Sequence, residues 1–182
     1  MDTFTALVLS GTVVAGVAGV ALVKWFFSED QRIQRRIREL PIRRIADIGN
    51  GEAARVVGRV RAGTTLTSPL TYRGCVYYRA TIEEYRRHGK HGSWYVVADE
   101  ARHADFAVAD ESGEALIRMV NAMVSTVRDG NSRSGPFDNP TSAEAAFLRR
   151  HAEQAENFVG LNRRFRYTEG VIEPGETVSV VG

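Results

Sequence analysis

Between Thr3 and Val23 the chain carries no charged side chain, and the stretch TFTALVLSGTVVAGVAGVALV is largely aliphatic. A helix of this length, rising about 1.5 Å per residue, crosses a hydrocarbon layer of roughly 30 Å. A cleaved secretory signal would open on basic residues and close a shorter apolar core with a small-residue cleavage site. This chain begins Met1-Asp2, has no basic residue before Lys24, and runs straight into Trp25-Phe26-Phe27. Residues 1–27 are therefore read as a transmembrane anchor. Lys24, Arg32, Arg35, Arg36, Arg38, Arg43 and Arg44 follow it, whereas only Asp2 precedes it, so the positive-inside rule places the long C-terminal part in the cytoplasm. Gly11, Ala15 and Gly19 recur at four-residue spacing, a small-residue stripe of the kind that supports helix pairing in membranes and hence a homo-oligomer.

Behind the anchor, about 155 residues remain, enough for one hydrophobic core. Cys75 is the only cysteine, so no intrachain disulfide forms, and with four histidines it cannot supply a zinc finger or RING. His88, His91 and His103 read as solvated loop residues rather than a metal set, and no metal or cofactor is expected. Up to Arg61 there are ten Lys/Arg against six Asp/Glu; from Ala62 onward there are fourteen against sixteen. The basic character thus belongs to the membrane-proximal part and points to anionic lipid headgroups, with Arg32, Arg35, Arg36, Arg43 and Arg44 as the contacts, more than to nucleic acid. Arg86, Arg87, His88, Lys90 and His91 form one further local basic cluster, too isolated to predict nucleic-acid binding.

Residues 28–50 place Ile33, Ile37 and Leu40 at helical spacing with arginines between them. Pro41 breaks or restarts the helix and Gly49 suits a C-terminal cap. The helix either lies in the membrane interface or packs its isoleucines on the following domain. From Glu52 the pattern changes to short strands separated by glycine and proline. They are expected at 54–61, 75–84, 94–98, 105–109, 115–118, 120–127, 164–167 and 177–181, with a turn at Asp110-Glu111-Ser112-Gly113. One helix begins at Pro140-Thr141-Ser142-Ala143-Glu144, and 129–139 is a polar connection. The fold class predicted is an N-terminal transmembrane helix followed, over 51–182, by a mainly antiparallel β domain, a small barrel or sandwich, possibly OB-like, with one docked α-helix.

The densest local signature is Thr67-Ser68-Pro69-Leu70-Thr71-Tyr72-Arg73-Gly74-Cys75-Val76-Tyr77-Tyr78-Arg79. Read from spacing alone, Pro69 and Arg73-Gly74 frame a turn, after which Cys75, Tyr77, Arg79 and Thr81 alternate with Val76, Tyr78, Ala80 and Ile82 along a strand. Cys75 reads as a small buried hydrophobe, since a reactive thiol needs a neighbouring base or cation. The segment resembles the one that marks the GIDE family, also called the beside-a-membrane domain, found in MULAN-type membrane-anchored ubiquitin ligases and in shorter bacterial and archaeal proteins. Further similarity lies in 51–63, in Trp94 with 104–113, and in 167–176. Tyr72 stands where a glycine is common and Gly74 where a proline is common, two departures that bear on turn geometry.

That resemblance marks Pro69, Leu70, Arg73, Cys75, Tyr77, Tyr78 and Arg79 as signature or binding positions. It implies a membrane-anchored module that meets a protein or peptide partner. In the ligases of the family, ubiquitin transfer depends on a separate C-terminal RING; this chain ends at Val180-Val181-Gly182 and lacks the cysteines for one. No phosphate-binding glycine loop, GxSxG elbow or HExxH replaces it. Two functions are expected: a non-enzymatic interaction or sensing module, or a component of a ubiquitin-ligase-like or other assembly whose catalysis is supplied in trans. Structural zinc contributes its binding free energy to folding, so thermal melts of the purified chain should coincide with and without a strong chelator. Stoichiometric zinc, or a melt that collapses on chelation, would contradict this.

Overall fold

The computed structural model describes residues 31–89, 91–126, 130–134, 140–152 and 164–182. The expected anchor, residues 1–27 with Gly11, Ala15 and Gly19, lies outside them. Among the described residues no helix is long and apolar enough to cross a membrane.

The chain is mainly antiparallel β with two helices. Residues 31–39 are helical (α1) and α2 spans Ser142–Ala152. The strands are β1 (Arg55–Arg61), β2 (Leu66–Thr67), β3 (Gly74–Cys75), β4 (Tyr77–His88), β5 (His91–His103), β6 (Phe106–Ala109), β7 (Glu114–Ile117), β8 (Gly130–Ser134), β9 (Arg164–Ile172) and β10 (Thr177–Val181). They form two four-stranded sheets, ordered β10-β1-β6-β7 and β5-β4-β9-β8, and the short pair β2-β3.

The two sheets meet at Val76. Its N–H donates to the Ile172 carbonyl at 2.8 Å and its carbonyl accepts from Ala104 N–H at 2.8 Å, so both backbone groups are satisfied where the chain bends from β3 into β4. Cys75, Val76, Tyr77 and Tyr78 are consequently all buried. This corrects the simple alternation expected from Cys75 onward, which begins only at Tyr78. Val76 and Tyr77 pack with Val56, Val60, Phe106, Val108 and Met119 under the first sheet, while Cys75 and Tyr78 pack with Val171. Beyond the bend, alternate side chains of β4 and β9 face a second core where Ala80, Ile82, Phe165 and Tyr167 receive Phe147 of α2. Burying Phe147 contributes roughly 1.5–3 kcal/mol.

Helix α2 starts where its sequence specifies. Thr141 N–H donates to Glu144 Oε2 at 2.7 Å and Glu144 N–H returns a bond to Thr141 Oγ1 at 3.3 Å, a reciprocal capping box. Ser132 of β8 also bonds Glu144, which ties the helix start to the sheet edge.

Several strand expectations are corrected. Residues 94–98 are only the middle of the thirteen-residue β5, which zips along β4 from His88↔His91 to Tyr77↔His103. Gly89 follows β4 at φ 62°, and His88, His91 and His103 lie on strands rather than in the loops expected for them. Gly130–Ser134, expected in a polar connection, is an edge strand paired to β9. Residues 120–126 form no strand: buried Met119 pins the chain, and Asn121 turns it at φ 58°. Gly49 is not a helix cap: α1 ends before Pro41, Ile48 closes the short 3-10 turn Ile45–Asp47, and the Gly49 N–H bonds Glu52.

One glycine is dictated by packing. At Gly58, where β1 passes from β10 to β6, a Cβ would lie 2.4 Å from the Ala109 carbonyl oxygen and 2.7 Å from Val108 Cγ1. Backbone cannot give way there, so Gly58→Ala should lower stability by about 2 kcal/mol or more, read as a shift in urea midpoint.

Candidate functional site

The signature segment forms the six-residue loop Ser68–Arg73 between β2 and β3. Its support is Glu169 of β9, whose side chain is buried at 1% exposure. Oε1 accepts the Leu70 N–H at 2.8 Å; Oε2 accepts Thr71 N–H at 3.2 Å and the Ser68 hydroxyl at 3.0 Å, and the Thr71 hydroxyl also bonds it. A carboxylate, an acceptor-only group, suits this ring of donors. The loop closes on itself through Ser68 N–H to Arg73 O at 3.0 Å and Arg73 N–H to Ser68 Oγ at 3.1 Å. Arg73 Nε donates to Thr71 Oγ1 at 3.3 Å, and its guanidinium pairs with Glu173 at 3.3 Å.

The loop holds Tyr72 at φ 55° with 63% of the residue exposed. A left-handed backbone costs a non-glycine residue about 1–2 kcal/mol. Gly74 has an ordinary φ and open space where its Cβ would stand, so nothing local requires glycine there.

The expected binding positions divide sharply. Cys75, Tyr77 and Tyr78 are buried, at 0%, 6% and 4% exposure, and serve the cores. Burial first, then the carboxylates of Glu169 and Glu173, push the Cys75 thiol up, away from the nucleophilic thiolate. Leu70 is half-buried against the core under α2, and Pro69 is also half-buried. Arg79 makes a two-point ion pair with Asp99, at 2.9 and 2.8 Å, on the solvent face of the sheet. Thr71 and Tyr72, with part of Arg73, form the exposed rim of the loop.

Tyr78 leads to a second polar cluster. Its hydroxyl donates to Glu100 Oε1 at 2.5 Å, and burial together with that bond raises its pKa to about 12. Glu100 also contacts His151 Nε2 of α2 at 3.1 Å and Arg102 Nε at 3.3 Å. Although burial opposes the charge of Glu100, the Tyr78 bond and the neighbouring Arg150, Arg102 and His151 leave it below the ordinary carboxylate range. The cluster fastens α2 to β5. A phenol with its pKa raised this far stays protonated near neutral pH and keeps donating to Glu100, so the arrangement is that of a structural latch.

The arginines of residues 32–44 are also sorted. Ile33 is buried, Ile37 and Leu40 are half-buried, and Arg32, Arg35 and Arg36 are exposed, with Arg35 pairing Glu39 at 3.3 Å. The end of α1 meets the domain where Arg55 Nη1 bonds the Ile37 carbonyl at 2.9 Å. Arg43 pairs with Glu52, and Arg44 lies 3.8 Å from Asp47. Residues 42–48 continue along the first sheet: Ile42 bridges Arg55, Ile45 N–H donates to Asp110 Oδ2 at 2.8 Å, and Ala46 N–H to Ser112 Oγ at 3.0 Å.

Sequence reasoning passed over Glu169 and Tyr72. A signal for Glu169 was present: in Phe165, Tyr167, Glu169 and Val171 an acid stands in phase with inward apolar residues, which a half-buried strand tolerates only with partners. Among the described residues no group of three or more His, Cys, Asp or Glu side chains is gathered to hold a metal ion. Protein-family models, curated proteins and solved structures yield no match to this chain.

Glu169→Gln would turn an amide donor toward loop donors and should cost about 1–3 kcal/mol by chemical denaturation. Tyr72→Gly should be about 1 kcal/mol more stable than Tyr72→Ala, because alanine keeps the left-handed strain. Asp110 supplies the pH dependence. Its bonds from Ser112, then those from Ile45 N–H and Gly113 N–H, pull its pKa down to about 2. A depressed carboxylate stabilises above its unfolded value of about 3.9 and loses that contribution as the pH falls through its folded value. The Ile45 amide resonance should therefore leave its bonded position with a midpoint near pH 2, a titration absent in Asp110→Asn.

Proposed function

We propose that this chain is a membrane-anchored, non-enzymatic interaction module, tethered through Thr3–Val23 with its β domain in the cytoplasm. The Ser68–Arg73 loop contacts a protein or peptide partner. The observation that carries this reading is Tyr72: an exposed aromatic ring on a strained backbone, over a buried carboxylate bonded four times by the loop. Strain persists where surrounding structure over-determines it, and it concentrates at ligand-binding and switch positions. Aromatic side chains are also enriched among the anchors of protein interfaces. The resemblance of residues 67–79 to the beside-a-membrane domain supports the same class, with the ubiquitin-transferring RING absent from this sequence.

The test places a photo-crosslinking amino acid at Tyr72 of the full chain in membranes of the source cells, with the same group at exposed Thr177 as control. In inverted vesicles the proposed topology exposes the domain to a soluble fraction. A discrete adduct at position 72, absent at 177 and weakened in Glu169→Gln, is the expected result. Identical patterns at 72 and 177 would refute the reading, as would domain protection from protease in inverted vesicles.

A further inference from the structure

We propose that the β7 side of the first sheet is a docking surface for an anionic bilayer. Three large aliphatic side chains stand clear of the protein in one short stretch: Leu116 at 65% exposure, Val120 at 74% and Met123 at 59%. They are held outward by the fold. Met119 is buried in the core, its N–H bonds Asp105 Oδ1 at 3.2 Å, and Ala122 N–H returns to the Met119 carbonyl at 3.3 Å around the left-handed Asn121.

Arginines flank Leu116 in this apolar stretch. The pairings Arg61↔Ala107 and Ala107↔Leu116 put Arg61 and Leu116 in one row of the outer face, with a small side chain between them. Arg59 lies in the next row beside Ala109 and Glu114, and Arg118 follows Leu116 by two residues. Arg59, Arg61 and Arg118 are exposed; Glu114 is the acid of these rows, and Asp105 at their end accepts the Met119 bond. Exposed aliphatics with arginines alongside suit a lipid interface. Headgroups attract each cation by about 1 kcal/mol, and acyl chains take up the apolar groups. An acidic soluble partner would leave Leu116, Val120 and Met123 unexplained.

Position favours the same occupant. The β6–β7 turn is bonded to Ile45 and Ala46, and neighbouring Ile42 is itself 60% exposed. The hairpin that carries Leu116 is thus fastened to the segment arriving from the apolar stretch Thr3–Val23. To this extent the inference rests on the tether proposed above.

Cys75 is fully buried, so cysteines introduced as Val120→Cys or Met123→Cys can be labelled selectively with an environment-sensitive fluorophore, with the unaltered chain as the labelling blank. The full chain is reconstituted into vesicles of phosphatidylcholine alone or mixed with phosphatidylserine; matching leaflets make orientation immaterial. Carbonate-resistant flotation reads the tether separately. Labels at both positions should shift to the blue with phosphatidylserine and return toward the detergent value at high salt. Val96→Cys, on the other sheet, should not respond, and Arg59→Gln with Arg61→Gln should remove at least half the shift. Unchanged emission at positions 120 and 123 overturns the docking surface whether or not the protein floats. A full shift already present in detergent, with the chain crosslinking to itself, assigns the patch to a second copy and also overturns it.

Discussion

The carboxylate of Glu169 is the interaction on which the signature half of this domain depends. It stands on the covered face of β9 between two apolar clusters, one built on Phe165 and Tyr167 under α2, the other on Val171, Cys75 and Tyr78. A charge there is costly unless its acceptor capacity is met. The loop Ser68–Arg73 meets it with backbone and hydroxyl donors, so the charge and the loop explain each other. Without the loop the carboxylate is unsolvated, and without the carboxylate the donors of Leu70 and Thr71 lose their partner. Tyr72 inherits its position from that exchange, and its strained backbone is held by bonds its neighbours make.

The bend at Val76 has a comparable reach. By bonding Ile172 on one side and Ala104 on the other, it lets four consecutive residues be buried and divides them among the cores of both sheets. The chain passes directly from the pinned loop into this joint. Loop, joint and both sheets are therefore mechanically continuous, which suits a module that presents a rigid surface. At the other side of the first sheet, Asp110 and Ser112 fasten Ile45 and Ala46 to the β6–β7 turn. The proposed partner loop and the proposed bilayer contact thus rest on separate supports.

Much of the β architecture was legible from alternation and turn chemistry. Thr177–Val181 and the Asp110–Gly113 turn fall where the pattern puts them, and the capping residues Thr141 and Glu144 mark the start of α2. What failed was long-range. The length of β5 depends on zipping against β4, and β8, poor in strand formers, exists because β9 offers it an edge. The signature residues were equally hard to sort. Cys75 reads as a small buried hydrophobe and is one, whereas Tyr77 and Tyr78, marked as signature or binding positions by the resemblance, are made core by the bend.

By itself the sequence determined the local terms: an uncharged apolar run, a basic segment behind it, period-two alternation, a helix cap and turn residues, all set by neighbours within a few positions. Only the tertiary structure decided which side chains are available. Burial and hydrogen bonding depend on partners about a hundred residues away, as for Leu70 with Glu169 or Arg73 with Glu173. No local pattern encodes that pairing, because the free energy that selects it comes from removing Glu169 from water and satisfying it at once.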